Sequence, residues 1–374
     1  MLPLNPRQQE LLSLFLRLAP IDGVSHKERA IADEVTTILR AAGIDVTEDE
    51  SAPIVKGNTG NLLCFPPGFR DDASAIMLEA HLDTVQSTGS LKIIVKEDRV
   101  CSDGSTILGA DNRMGLSILV DLLLHADEIP SPRKNFFVAL TVGEETGLYG
   151  AAALDLSKQK VSAAFVFDCS KRPGIYIRES VGLYEYTAQF VGKAAHAGVA
   201  PEEGVSAIAL AASAISKIRL GRLDPETTSN IGKIYGGEAT NIVPERVTVE
   251  GEVRSFSPDR IREELRRIEQ IFHESVDGCG RLVFSAYSEF EPYVHKQDSP
   301  AVVELEDAIR RSGLTPTPIR YMGGSDANKY NAKGIPAVNI GIGAQKPHSV
   351  EEFFLLEDLF KSSEIAHALV SIAT

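Results

Sequence analysis

The sequence predicts an α/β protein: a mixed, mostly parallel sheet sandwiched by helices, with a second domain inserted into it. Three observations carry this expectation. In the first half, amphipathic helical stripes alternate with continuous apolar runs of strand length, the order of a sheet covered on both faces. Three of these runs end in acidic residues or histidine, and open α/β sheets bind ligands at the carboxyl ends of their strands. Between 180 and 291 the texture changes, after which the α/β pattern resumes.

Residues 6–18 and 25–42 read as amphipathic helices. Ala75–Ala80 is a short apolar run leading into His81-Leu82-Asp83. Asp111–Ala126 places Met114, Ile118, Leu119, Leu122 and Leu123 on one helical stripe. Phe136–Val142 and Ala163–Phe167 are runs of buried-strand length. The insertion reads as a strand at 181–192, a helix at 203–219, strands at 229–236 and 245–256, a helix at 258–275 and a strand at 282–290. Ser257 and Pro258 suit the cap and first turn of its second helix. This β-α-β-β-α-β order is the split pattern of ferredoxin-like domains. A helix at 300–312, a Gly-rich turn at 322–326, a strand at 336–342 and a helix at 351–372 complete the chain. The expected domains are therefore 1–179 with 292–374, and an inserted 180–291.

Length and charge bound the function. A chain of 374 residues suits two domains. Its 38 Lys+Arg against 52 Asp+Glu leave a net charge of −14, which repels phosphate backbones and anionic lipid surfaces, so neither nucleic acid nor membrane is an expected partner. The sequence lacks a run of about 18 apolar residues, and MLPLNPRQQE lacks the build of a signal peptide; a cytoplasmic protein is expected. Cys64, Cys101, Cys169 and Cys279 show no CxxC spacing and are expected as small apolar residues rather than as thiolate ligands.

Five signatures fall just past predicted strands or at a helix start: His81-Leu82-Asp83, Gly109-Ala110-Asp111-Asn112, Gly143-Glu144-Glu145-Thr146-Gly147, Phe167-Asp168-Cys169 and Pro347-His348-Ser349. Singly, a His-x-Asp is most often a surface pair and an Asp after a strand a cap. Loops at one edge of one sheet, however, open on the same crevice. His81, Asp111, Glu145, Asp168 and His348 offer two imidazoles and three carboxylates, donors suited to zinc, cobalt or manganese. A carboxylate between two ions about 3.5–4 Å apart would bridge them. Asp83, two residues after His81, can orient the imidazole, and Glu144 is placed to act as a general base.

In this order, with spacings of 30, 34, 23 and 180 residues, HLDT, GADN, TVGEETGLYGA, FVFDC and PHS resemble the two-metal exopeptidases of the peptidase T, carboxypeptidase G and aminoacylase superfamily, clan MH. The turn motifs are closest to peptidase T-like members. The resemblance spans essentially the whole chain and implies a zinc-exopeptidase catalytic domain with a lid. It implies two divalent ions, zinc first with cobalt or manganese as alternatives. His81 and Asp168 would hold one ion, Glu145 and His348 the other, and Asp111 would bridge; Asp83 would orient and Glu144 act as base. It also implies a cis Asp111–Asn112 bond. Arg113 departs from the family, where relatives commonly carry Lys, and this puts the surroundings of the ligands in question.

The insertion corresponds to the family's lid. Lys193–Gly198 resembles the loop whose histidine, here His196, stabilises the oxyanion. Thr240–Pro244 resembles the segment whose asparagine, Asn241, touches substrate, and Glu252-Val253-Arg254 the strand whose arginine grips a terminal carboxylate. Gly323, Gly324 and Ser325 resemble the Gly-rich turn beside the substrate. The implied activity is hydrolysis of a terminal peptide bond of short peptides, as in a tripeptide aminopeptidase. The alternatives are an N-acyl amino acid amidohydrolase or carboxypeptidase of the same superfamily, and a non-catalytic peptide-binding relative. Short peptides or acylated amino acids are the expected partners, and the lid's exposed sheet edges suit a homodimer. His26, His125, His273 and His295 lie outside the motifs and are expected to be structural or solvent-facing.

Overall fold

A computed structural model of the chain describes residues 4–372. Helix α1 (Pro6–Leu18) starts on a capping box, in which Gln8 N–H donates to the Asn5 side chain and Asn5 N–H to that of Gln8. Helix α2 (Arg29–Ala41) starts later than the expected residue 25, because Ser25, His26 and Glu28 are committed to other partners. There follow β1 (Asp45–Glu48), α3 (Ala52–Val55), β2 (Leu62–Phe65), β3 (Ala75–His81), a hairpin of β4 (Ile93–Val95) and β5 (Arg99–Ser102), α4 (Ala110–Leu124), β6 (Phe136–Thr141), α5 (Tyr149–Ala153), β7 (Val161–Cys169) and β8 (Ile175–Ser180). The insertion holds β9 (Gly182–Val191), α6 (Ala207–Ile215), β10 (Gly221–Asp224), β11 (Thr227–Gly236), β12 (Arg246–Ser255), α7 (Pro258–Val276) and β13 (Arg281–Phe290). Last come β14 (Tyr293–Val294), α8 (Pro300–Arg311), β15 (Thr317–Tyr321), α9 (Asp326–Ala332), β16 (Ala337–Gly341), β17 (Phe353–Leu355) and α10 (Leu356–Val370).

The chain divides into two compact units. One holds residues up to 178, 294–320 and 325 onward; the other holds 179–293 and 321–324. The segment 321–324, assigned from sequence to the first domain, packs with the insertion: Ser180 Oγ donates to the Gly323 carbonyl, and a Cβ on Gly324 would meet the Phe290 ring at 2.2 Å.

In the first unit the strand order is β1-β2-β6-β3-β7-β16-β8-β14, with β15 beside β8. The pairs β6/β3, β3/β7 and β7/β16 are parallel, and β1/β2, β2/β6 and β16/β8 are antiparallel. The parallel centre was readable because β3 and β6 are buried at every residue, which leaves no polar face to alternate. The short flanking strands are more polar or irregular and carry little periodic signal. Helix α4 is buried along almost its whole length, packed against β3, α1 and α10. The expected helix at 351 begins at Leu356 because Phe353–Leu355 pairs with β5.

The second unit is an antiparallel sheet, β10-β11-β12-β9-β13. Without β10, its order is that of a ferredoxin-like sheet; the added hairpin strand makes five strands where four were expected. Alternate residues Tyr186, Ala188 and Phe190 of β9 and Val247, Val249 and Val253 of β12 bury against α6 and α7, whose Ile261, Ile268 and Phe272 complete this core. Helix α6 starts at Ala207, not 203, since Val205 pairs with Lys193 in an isolated bridge. Cys64 and Cys169 are buried as expected, whereas Cys279 is exposed.

Edge strand β1 is tied to α2 by a two-nitrogen fork, Arg29 to Glu48, at 2.9 and 2.6 Å; Thr59 Oγ1 and Gly60 N–H also donate to Glu48 at 2.9 Å. The Arg29 bonds are the largest cause holding the Glu48 carboxyl down to about 2. A depressed acid stabilises the fold above its unfolded pKa of about 4.3, and that contribution is lost as pH falls toward 2. Glu48→Gln is therefore expected to lower the urea midpoint at pH 7, with the difference from wild type shrinking as the pH is lowered below 4; a difference independent of pH would contradict this role.

Candidate active site

Parallel β3, β6, β7 and β16 present their carboxyl ends to one side of the sheet. His81 closes β3 and Asp168 lies next to the last residue of β7. Glu144 and Glu145 follow β6, and Asp111 lies in the non-helical start of α4, where the Asp111–Asn112 bond is cis as the resemblance implied. His348 sits in the loop before β17 with φ +63, in the left-handed region.

Asp111 faces two groups. Its Oδ1 is 3.3 Å from His81 Nε2, which is also 3.3 Å from Asp168 Oδ1. Its Oδ2 is 3.4 Å from His348 Nε2, which lies 3.0 and 3.1 Å from the two Glu145 oxygens. His81 Nδ1 is 3.0 Å from the Asp83 carbonyl and 3.3 Å from its carboxylate. A proton on Nδ1 serves Asp83 and leaves the Nε2 lone pair aimed at Asp111 and Asp168. Asp83 is anchored in turn, accepting from Ser25 Oγ at 2.6 Å and from the amides of Glu144 and Glu145 at 3.1 and 3.2 Å.

These separations suit metal ligation. Ligands about 2.0–2.1 Å from a tetrahedral zinc lie ~3.3–3.4 Å from each other, whereas a charge-assisted hydrogen bond closes to about 2.7–2.9 Å. The contacts at Asp111 and Asp168 match the first spacing. Among the described residues, His81, Asp111 and Glu145 are the group of three or more such side chains whose ligand atoms converge within 4.8 Å. The donor set, imidazole and carboxylate, fits zinc, cobalt or manganese.

Burial opposes charge on His81, yet its bonds to Asp111, Asp168 and Asp83 outweigh it and hold the ring well above its usual pKa. His348 is pushed up to about 10 by Asp111 and Glu145. Burial raises the Glu144 carboxyl well above its usual range; Asp168, Glu145 and Asp326 push the same way and His81 opposes.

In the inserted unit, Gly198 and Val199 N–H donate to His196 Nδ1 at 3.2 Å, which puts the neutral ring's proton on exposed Nε2. His196 bridges to Ile242, and Ala197 N–H donates to the Asn241 carbonyl at 2.9 Å, so the His196 and Asn241 segments lie side by side. Arg254 sits on β12, its Nε and Nη2 donating to Glu252 at 2.8 and 3.0 Å. Gly323 and Gly324 belong to this unit and Ser325 to the other, where it is buried and caps α9 through a capping box with Asn328.

Comparison with known proteins decides the family. A peptidase dimerisation domain family matches residues 178–276 and peptidase family M28 matches residues 65–200. An uncharacterised Bacillus subtilis protein, YqjE, is 34% identical over 98% of this chain and 99% of its own. The crystal structure of a Staphylococcus aureus tripeptidase is similar with a TM-score of 0.89 at 33% identity, covering 97% of each chain. That of aminopeptidase PepT from Bacillus cereus gives 0.86 at 32%, covering 97% of this chain and 98% of the other. The chain belongs to the peptidase T-like branch of the two-metal peptidase superfamily.

In this peptidase T-like chain, several residues around the site went unread in the sequence. Glu28 accepts from Gly143 N–H at 3.0 Å and from His26 N–H at 2.8 Å, fixing the turn ahead of Glu144. His26, expected to be structural or solvent-facing, lies 3.2 Å from Thr146 Oγ1 in the same turn. Arg113 is fully buried and donates to the carbonyl of Leu82, between His81 and Asp83, and to that of Ile21 at 3.0 Å. Arg113 thus braces the backbone between His81 and Asp83. Behind the site, Thr141 Oγ1 lies 2.8 Å from Glu79 and 2.7 Å from Asp326. One hydroxyl faces both carboxyls, and burial raises each above its usual range, Asp326 to about 6. Glu79 carried a signal, an acid inside an otherwise apolar strand; Glu28 and Asp326 did not.

With His81 Nδ1 against Asp83, Asp83→Ala is expected to weaken divalent-metal binding at this cluster roughly 10–100-fold in chelator competition. Unchanged affinity would contradict that role.

Proposed function

We propose that this peptidase T-like chain is a two-metal exopeptidase that removes a terminal residue from short peptides, in the manner of a tripeptide aminopeptidase. Metal-dependent exopeptidase action on short peptides is the activity of its family. The observation that carries the two-metal reading is Asp111, whose two oxygens face separate histidine–carboxylate pairs. In this reading His81 and Asp168 would hold one divalent ion and His348 and Glu145 the other, with Asp111 shared between them; zinc is the proposed metal. When bound, the ions polarise the scissile carbonyl and acidify the attacking water.

The chain's own residues do the rest. Asp83 holds His81 in its tautomer, and Glu144 takes the water's proton and returns it to the leaving amine. A buried carboxyl with a raised pKa is suited to that exchange. His196 donates from Nε2 to the developing oxyanion, and Asn241 beside it contacts substrate. Arg254 keeps its distal Nη1/Nη2 edge available beyond Glu252 and binds the peptide's free carboxylate there. The turn at Gly323, Gly324 and Ser325 brings backbone close to the substrate chain.

Glu144→Ala is expected to retain two ions per chain by elemental analysis and to lose roughly 10²–10⁴-fold in kcat on tripeptides, with wild type preferring free-acid peptides to their amides. Activity confined to N-acetyl amino acids would overturn the peptidase reading, and two bound ions without hydrolysis of either class would favour a peptide-binding protein.

Among the described residues no helix is long and apolar enough to cross a membrane. With the net charge of −14, this supports a cytoplasmic enzyme. The match to a peptidase dimerisation domain and the outer strands β10 and β13 support a homodimer through the inserted unit. Light scattering should give twice the 40.4 kDa of one chain; the monomer mass would contradict it.

A further inference from the structure

Helix α4 carries Asp111 in its first turn but has no cap of its own. Gly109 occupies the N-cap position at φ +70, and a side chain there would press on Thr88 and Thr84 at 3.0 and 3.3 Å. The first amides of a helix lack intrahelical partners and must find acceptors elsewhere. Here the acceptor comes from more than 240 residues away. Glu352, 1% exposed, takes Gly109 N–H on Oε2 at 2.7 Å and Asp111 N–H on Oε1 at 3.0 Å. Both carboxylate oxygens are spent on the backbone that carries Asp111, at the positive end of a helix dipole.

Glu352 also belongs to the His348 loop. Gln345 and Phe353 exchange backbone hydrogen bonds at 2.8 and 3.1 Å and close residues 345–353 into a hairpin. Glu352 N–H donates to the Ser349 carbonyl at 3.0 Å. The base of this hairpin is pinned a second time, by Gln345 Nε2 donating to the Ser170 carbonyl at 2.9 Å, two residues past Asp168. One rigid hairpin therefore presents His348 to Asp111 Oδ2 while its Glu352 grips the amide of that same Asp111.

We propose that Glu352 is a positioning residue of the metal centre: by clamping the Asp111 turn onto the hairpin that bears His348, it sets the distance between the centre's two halves. The proposal rests on the two-ion reading of the site. No hydrogen bond joins Glu352 to a ligand side chain among the described residues, so its effect passes through backbone.

Zinc affinities by chelator competition and the absorption spectrum of the cobalt-loaded protein test this on wild type, Glu352→Gln, Glu352→Asp and a control, Leu369→Ala, which thins the α10 core away from the ligands. Glu352→Gln places an amide NH₂ against a backbone N–H. It is expected to stay folded by far-UV circular dichroism, to bind at least one zinc roughly 10–100-fold more weakly, and to shift the cobalt d–d bands. Glu352→Asp, which keeps the charge, should recover part of the affinity and supplies the reading if the Gln variant does not fold. Leu369→Ala should lower the Tm and leave affinities and spectrum alone. Wild-type affinity and spectrum in folded Glu352 variants would overturn the proposal alone, as would equal losses in Leu369→Ala. A wild type binding fewer than two ions would overturn the two-ion reading and this inference with it.

Discussion

Five carboxylates and two imidazoles crowd the carboxyl end of this sheet, and the constraint they impose is electrostatic. Asp83, Asp111, Glu144, Glu145 and Asp168 lie in one largely buried cluster, where like charges repel and desolvation penalises each. Asp83 escapes by accepting from Ser25 and two backbone amides. Asp111 escapes by facing His81 with one oxygen and His348 with the other. For the rest, bound cations would supply the compensating positive charge, and the separations of 3.3–3.4 Å around Asp111 fit donors to a common ion.

The fold is organised around holding that cluster still. Two of its members, His81 and Asp168, hang from the adjacent parallel strands β3 and β7, whose central residues are buried. The others sit in loops with long-range anchors: Glu28 under Gly143, Arg113 under Leu82, Glu352 under Asp111. Each anchor acts on backbone, leaving the side chains of the cluster facing one another. The inserted unit carries polar groups on a loop and a strand face of its own: His196, whose Nδ1 accepts from two amides, and Arg254, braced by its strand neighbour Glu252.

What could be read from the sequence follows from this division. His81, Asp111, Glu145, Asp168 and His348 each mark the end of an apolar run or a compact motif, so their type and placement were legible, and the family resemblance supplied their roles. The split pattern of the insertion was legible because its helices and long strands alternate cleanly; the short β10 hairpin was not. Ser25, Glu28, Asp326 and Glu352 escaped notice because each is a single polar residue in a segment without periodicity, and its partner lies 58 to 243 residues away. Residues 25–28 were misread as helix for the same reason, since side chains committed across the sheet hold that backbone in a turn. Ser257, by contrast, caps its own helix locally, and a local cap is what a sequence displays.

The central claim is that Asp111 bridges two ions. An anomalous difference map at the zinc edge from zinc-loaded crystals tests it most directly. The account predicts two peaks about 3.5–4 Å apart on either side of the Asp111 carboxylate, one beside His81 and Asp168 and the other beside His348 and Glu145. A single peak, or a second ion without Asp111 as a ligand, would contradict it.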